Sequence, residues 1–71
     1  MGEYEQALAD LTKAIELNPE SARGYCIRGG TYKKMGQAEK AIADFERFLE
    51  LTNDPQWRQM AEQQLRQLRD R

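Results

Sequence analysis

The chain has 71 residues, 32% of them charged, with a formal net charge of −1 at pH 7. A chain of this length makes at most one small domain, in which the surface buried on folding is only marginally sufficient. The balanced charge argues against nucleic acid and anionic membranes as partners, because both select for a basic excess. No apolar run approaches the roughly 20 residues needed to span a bilayer, and the first residues lack the features of a signal peptide.

The sequence contains one cysteine and no histidine. A single cysteine cannot form an intrachain disulfide, which favours a reducing, cytoplasmic location. The lack of histidine removes the commonest general base and the commonest metal ligand. The remaining Asp, Glu, Lys, Tyr and Cys residues form no recognisable catalytic arrangement. We therefore expect no catalytic, cofactor-binding or metal-binding residues, and an enzyme is the least favoured class of function.

A first helix is predicted over residues 3–17. Apolar residues spaced by three and four positions put one face toward a core. They are Tyr4, Ala7, Leu8, Leu11, Ala14, Ile15 and Leu17. Asn18-Pro19 then ends the helix, because proline lacks an amide donor and biases the residue before it away from the α region.

A second helix is predicted over residues 22–35, with Ser21 as its N-cap. Gly29 and Gly30 lie in its interior, where each costs about 1 kcal/mol relative to alanine. For Gly29 we expect a neighbouring helix to pack close to the backbone, with Ala41 facing it. Gly30 has no obvious partner. Gly36 suits a left-handed residue that ends this helix and makes a tight turn.

A third helix over residues 37–51 and a fourth over 55–69 complete the prediction. The third directs seven apolar residues toward the core: Ala38, Ala41, Ile42, Phe45, Phe48, Leu49 and Leu51. Asp54 can cap the fourth helix and Pro55 can be its first residue. The apolar residues of the fourth helix form a narrow stripe of Trp57, Met60, Ala61, Leu65 and Leu68. A polar helix with one apolar stripe suits the end of a helical array, which must meet water.

The first and third helices resemble each other at an offset of 34 residues. Identical residues stand at these positions: Gly2/Gly36, Glu5/Glu39, Ala7/Ala41, Ala9/Ala43, Asp10/Asp44, Glu16/Glu50 and Leu17/Leu51. Most other apolar positions exchange one apolar residue for another, as in Leu8/Ile42. Self-similarity with a period between about 20 and 50 residues indicates stacked structural repeats.

These residues resemble the tetratricopeptide repeat, a pair of antiparallel helices with a 34-residue period. The resemblance rests on aromatic and small residues at set places: Tyr25, Gly29, Tyr32, Gly36, Ala41, Phe45, the run from Phe48 to Leu51 and, in the partial copy, Ala7, Leu11, Ala14, the run from Ile15 to Leu17 and Pro19. It implies an all-α fragment of an α-solenoid. Residues 2–21 would be the second helix of a partial repeat, 22–55 a complete repeat and 56–71 a C-terminal capping helix.

The resemblance also implies a function, since these repeats hold a peptide or protein segment in a concave groove. The groove positions carried over to this sequence are Arg23, Cys26, Ile27, Gly30, Lys33 and Lys34. The three cations would favour an acidic peptide, although solvated helix charges are the simpler interpretation. Gly30 stands where a carboxylate-binding asparagine would be expected in some members of the family.

Several single residues have a structural interpretation beside a functional one. Cys26 is either a half-buried apolar residue or a groove thiol, and the structural interpretation is favoured. Trp57 is interpreted as an anchor of the capping helix, in contact with Phe48. Acidic residues that include Asp10 and Asp44 are interpreted as solvated.

Self-assembly is the alternative function. Repeats do not bury their apolar faces alone, and about three are needed for stability. The first helix would leave a face partly open, formed by Tyr4, Leu8, Leu11 and Ile15. We therefore expect either membership of a longer array or a homodimer through this face, with exchange of helices as one form of it.

Overall fold

The computed structural model describes residues 2–70, which form four α-helices joined by short turns. The helices are α1 (Glu3–Leu17), α2 (Ala22–Lys34), α3 (Ala38–Leu51) and α4 (Pro55–Arg69). Each helix packs against the next one in the chain. The predicted all-α fold is confirmed, and the predicted bounds differ only at the end of α2 and the start of α3. Arg71, the last residue of the predicted capping segment, lies outside the described residues.

The turns between the helices follow from their local sequences. Gly36 has φ +80°, and the Gln37 amide donates to the Tyr32 carbonyl at 2.9 Å, which is the pattern of a Schellman turn. Asp54 caps α4, because its carboxylate accepts a hydrogen bond from the Gln56 amide at 2.9 Å. Ser21 occupies the N-cap position of α2 with extended backbone, but its side chain makes no capping hydrogen bond.

The core lies between α2, α3 and α4. Its buried side chains come from α3 and α4, namely Ala41, Phe45, Phe48, Ala61, Leu65 and Leu68. Half-buried residues of α2 pack around them, including Tyr25, Cys26 and Tyr32. The two buried residues of α2 are both glycines, Gly24 and Gly29. Helix α2 therefore brings its backbone, rather than large side chains, close to its neighbours.

Gly29 makes the close approach to α3 that the sequence predicts. A Cβ at this position would lie 3.3 Å from Asp44 Cβ and 3.3 Å from the Phe45 ring. Asp44 and Phe45 of α3 thus supply the atoms nearest to this position, and the contact of Ala41 with Gly29 stays a prediction. A Cβ at Gly30 would meet nothing within 4 Å.

Arg28 joins three helices through one guanidinium group. Its Nε and Nη2 donate to the two carboxylate oxygens of Asp44, each at 2.8 Å, and its Nη1 donates to Thr12 Oγ1 at 3.3 Å. The guanidinium carbon also lies 5.6 Å from the ring centre of Tyr25 and 5.9 Å from that of Tyr32. The hydrogen bonds with Asp44 raise the pKa of Arg28. The charged guanidinium thereby links α1, α2 and α3.

The interpretation of Asp44 as a solvated residue is wrong. Asp44 is 5% exposed, and its side chain faces α2 instead of water. A buried carboxylate needs a partner that compensates its lost hydration. Arg28 supplies that partner with a bidentate contact, the strongest geometry available to the pair.

Helix α1 packs mainly against α2. Ile15 is 7% exposed, and its Cγ1 would lie 3.0 Å from a Cβ built on Gly24. Ile15 is thus buried against α2 and does not belong to the open face predicted for α1. On that face, Tyr4 is 45% exposed, and Leu8 and Leu11 are half-buried.

The two glycines of α2 offer a matched pair of substitutions. Gly30→Ala removes a helix-interior glycine in open space, so we expect it to raise the free energy of unfolding by about 1 kcal/mol. Gly29→Ala makes the same gain but adds a methyl group against Asp44 and Phe45, which are held in place, and overpacking costs about 1–3 kcal/mol. Urea denaturation should find Gly29→Ala less stable than Gly30→Ala. Equal stability would show that the contact at Gly29 is loose.

The coupling energy between Arg28 and Asp44 should be larger than that of an exposed ion pair. We expect a double-mutant cycle with Arg28→Met and Asp44→Ala to give a coupling of about 1–3 kcal/mol, as for hydrogen bonds between charged groups. Arg47 and Glu50 form an exposed pair at 2.6 Å and serve as the control, with an expected coupling of at most about 0.5 kcal/mol. Equal couplings in the two cycles would contradict the role assigned to Arg28.

Candidate functional site

The predicted groove residues divide into two groups along α2. Arg23, Cys26 and Ile27 lie together and line one cleft. Gly30 and Lys33 are half-buried further along the helix, and Lys34 is exposed. The structure therefore brings three of the six predicted positions into one concave site.

The cleft has a volume of about 540 Å³ and is mostly apolar. Its remaining walls come from the start of α2, the end of α3 and the start of α4: Ala22, Phe48, Thr52 and Trp57. Arg23 is the charged residue among those that line it. A largely apolar cleft with one cation suits an apolar group next to a negative charge.

The groove positions expected from the sequence do not include Ala22, Phe48, Thr52 or Trp57. The repeat period contained a usable signal, because a helix that follows α3 stands where the first helix of a next repeat would stand. Its first turn must then lie beside the first turn of α2. Trp57 is in that first turn and could have been placed at the groove on this ground.

Trp57 contributes more to the cleft than to the attachment of α4. Its ring meets Phe48 edge to face, with ring centres 6.4 Å apart and an angle of 80°, so the expected contact is present. Yet Trp57 is 53% exposed. The residues that anchor α4 are Ala61, Leu65 and Leu68, each at most 4% exposed. The interpretation of Trp57 as the anchor of α4 is therefore wrong, although its expected contact with Phe48 is present.

Cys26 combines the two interpretations that the sequence left open. It is half-buried and packs against the core, and it also lines the cleft. Burial raises the pKa of the Cys26 thiol. The thiol therefore stays protonated and weakly nucleophilic at neutral pH.

Lys33 is engaged by α4. Its Nζ donates to Gln67 Oε1 at 2.9 Å and also contacts Gln64 Oε1. These contacts connect the later part of α2 with the later part of α4, while the cleft opens between their first turns. Of the three cations predicted to line the groove, Arg23 and Lys34 are the exposed ones.

The arrangement of these groups supports noncovalent binding. Across residues 2–70, no group of three or more Cys, Asp or Glu side chains could hold a metal ion. In the same range, no helix is both long and apolar enough to cross a membrane. What the cleft presents is an apolar surface, a protonated thiol and one cation.

Each helix packs against the next one in the chain, and a cleft opens on one side. This arrangement defines a helical-repeat protein. Comparison with known families identifies the repeat. The family described as TPR repeat matches residues 1–36, and the one described as Tetratricopeptide repeat matches residues 22–55. The chain belongs to the tetratricopeptide repeat family.

Two curated proteins are similar to parts of this chain. An Hsp70-Hsp90 organizing protein of Triticum aestivum is 42% identical over 48 residues, which are 68% of this chain and 8% of that protein. A UDP-N-acetylglucosamine--peptide N-acetylglucosaminyltransferase of Giardia intestinalis is 40% identical over 52 residues, or 73% of this chain and 4% of the transferase. The chain thus spans less than a tenth of the length of each. No solved structure matched it.

The Cys26 thiol should react more slowly in the folded chain than in the unfolded chain. Because burial raises its pKa, the reactive thiolate forms only at higher pH. We expect the pH profile of iodoacetamide alkylation, followed by mass spectrometry, to have its midpoint at higher pH in buffer than in urea. Restricted access alone would lower the rate at every pH and leave the midpoint unchanged, which would contradict the effect of burial on the pKa.

Proposed function

We propose that this chain is a non-catalytic interaction scaffold that binds a peptide or protein segment through the concave side of α2. Tetratricopeptide repeats bind proteins or peptides. The observation that carries the proposal here is the cleft, in which Arg23, Cys26 and Ile27 of α2 meet Trp57 of α4. The name of the wheat relative, an organizing protein for Hsp70 and Hsp90, is consistent with a scaffold.

The cleft supports a preference for a segment that carries an apolar side chain. Ile27 and Trp57 are 44% and 53% exposed, so a bound side chain would remove apolar surface from water at both. Arg23 favours an acidic residue beside that side chain, because it is exposed and lines the cleft. Lys34 is exposed further along α2, outside the cleft. Lys33 contributes less to such a preference, because α4 already provides it with hydrogen-bond acceptors.

We further propose that α4 is a capping helix that follows one complete repeat at residues 22–55, with residues 2–21 as the second helix of a partial repeat. Its buried residues, Ala61, Leu65 and Leu68, form one stripe against the core. Most other residues of α4 are exposed and polar. A terminal repeat element requires this division between an apolar and a polar face.

No catalytic activity is proposed. The similarity to the transferase covers 4% of that protein, which gives no ground for extending its activity to this chain. The self-assembly alternative rests on the exposed surface of α1, where Tyr4 is 45% exposed. That surface is separate from the cleft.

Selection from a random peptide library displayed on phage tests the scaffold proposal. We expect peptides to be enriched on the immobilised chain over a column without protein. Synthetic versions of these peptides should bind Ile27→Glu at least about tenfold more weakly, since a charge in the cleft opposes burial of an apolar side chain.

Lys13→Glu provides the control, because Lys13 is an exposed residue of α1 outside the cleft. It should bind the same peptides as the unchanged chain does. No enrichment, or equal loss in both variants, would contradict binding through α2.

A further inference from the structure

The polar side chains that line the cleft are hydrogen-bond donors. They are the guanidinium of Arg23, the thiol of Cys26, the hydroxyl of Thr52 and the indole N–H of Trp57. A guanidinium and an indole can only donate, whereas a hydroxyl and a thiol can also accept. No Asp, Glu, Asn or Gln side chain of residues 2–70 lines the cleft. A ligand that fits these walls therefore brings acceptors and has few donors of its own.

The oxygen acceptors at the end of α3, beside the cleft, are already engaged. Thr52 Oγ1 accepts a hydrogen bond from the Asp54 amide at 3.3 Å. The Leu49 and Thr52 carbonyls accept from Arg58 Nη1 at 2.6 and 3.4 Å, and the Phe48 carbonyl accepts from the Thr52 amide at 2.9 Å. These bonds satisfy carbonyls that an α-helix leaves without partners at its C-terminus. The hydroxyl of Thr52 thus keeps its proton to donate.

The cleft also carries positive charge without a counterion. Arg23 is exposed and takes part in no ion pair within the described part of the chain. The first turns of α2 and α4 border the cleft, and neither turn contains an acidic residue. Helix N-termini favour negative charge. Asp54, which caps α4, already accepts from the Gln56 amide and does not line the cleft. The acceptor that these walls fit is therefore anionic.

We propose that the cleft binds a small amphiphilic acid, an unbranched alkyl carboxylate of medium chain length, with its carboxylate at Arg23 and its chain along Ile27 and Trp57. Ile27 and Trp57 are 44% and 53% exposed, so a flexible alkyl chain removes apolar surface of both from water. The volume of about 540 Å³ lies in the range of small-ligand sites. This inference goes beyond the scaffold proposed above, because it does not require a peptide to bind.

The same walls disfavour the end of a peptide as the source of the carboxylate. The peptide unit next to a terminal carboxylate carries an N–H that needs an acceptor. The acceptors beside the cleft are engaged by Arg58 and by the amides of Thr52 and Asp54, so this N–H would lose its hydration without replacement. An alkyl chain has no donor to satisfy. The scaffold function stays compatible, because a segment can place one side chain in the cleft and keep its main chain outside.

A homologous series of n-alkyl acids tests the apolar contact. The chain has one tryptophan, Trp57, and it lines the cleft, so its fluorescence reports binding directly. We expect the dissociation constant to fall from hexanoate through octanoate to decanoate, by up to about fourfold for each added CH₂ group. The titrations are made below the concentrations at which the acids form micelles. A dissociation constant that does not change with chain length would overturn the proposal.

Octanol and two variants test the contact of the carboxylate with Arg23. Octanol, which has the chain without the charge, should bind about three- to tenfold more weakly than octanoate. Arg23→Gln should lose the same factor for octanoate and keep the affinity for octanol. Arg66→Gln is the matched control, because Arg66 is exposed on α4 outside the cleft, and it should bind octanoate as the unchanged chain does. Equal binding of acid and alcohol, or equal loss in both variants, would overturn the proposal.

N-acetylleucine separates a free alkyl acid from a peptide end. It has the same number of carbon atoms as octanoate and the same carboxylate, but it contains one peptide unit. We expect it to bind at least about tenfold more weakly, because its N–H finds no free acceptor. Binding as tight as that of octanoate would overturn the proposal and make a peptide C-terminus the occupant. If no acid binds while peptides are still enriched on the immobilised chain, this inference fails and the scaffold function stands.

Discussion

The position of α2 depends on the guanidinium of Arg28, which hydrogen-bonds Asp44 of α3 and Thr12 of α1. An α-helix turns by about 100° per residue, so fixing Arg28 on one side of α2 sends Cys26 and Gly30 to the opposite side. Arg23 lies within about half a turn of that opposite side. The cleft residues Arg23 and Cys26 therefore lie on the side of α2 that faces away from the Arg28 contacts.

The ion pair of Arg28 and Asp44 is largely shielded from water, with side chains 18% and 7% exposed. Desolvation of two charges can cancel their attraction, so such pairs are a weak source of stability. Here the pair stands next to Gly29, where an added Cβ would lie only 3.3 Å from the Phe45 ring. A shift of α3 along α2 would separate Arg28 from Asp44 and press Phe45 against a residue other than glycine. We therefore see the main effect of the pair in the register between two helices.

The periodicity of the sequence was sufficient for the helices, their order and most of their ends. Apolar spacing, Asn18-Pro19, Gly36 and Asp54-Pro55 act locally, and local signals can be read without the fold. The predictions for Asp44 and Trp57 were wrong because both depend on how neighbouring helices are rotated relative to each other. Asp44 looks like a solvated residue in one helix and becomes buried only because α2 supplies Arg28. Trp57 looks like an anchor when α4 is considered alone. Because α2 lies beside the first turn of α4, Trp57 instead lines the cleft between them.

The location of Trp57 also determines what fluorescence can report about this molecule. The chain has one tryptophan, and it lies at the contact of α2, α3 and α4. Helix α1 lies outside that contact, so its fraying would change the helical circular dichroism signal and leave the indole nearly unaffected. The two spectroscopic signals therefore observe different parts of the fold, and any gap between their transitions measures how far α1 unfolds independently of the other helices.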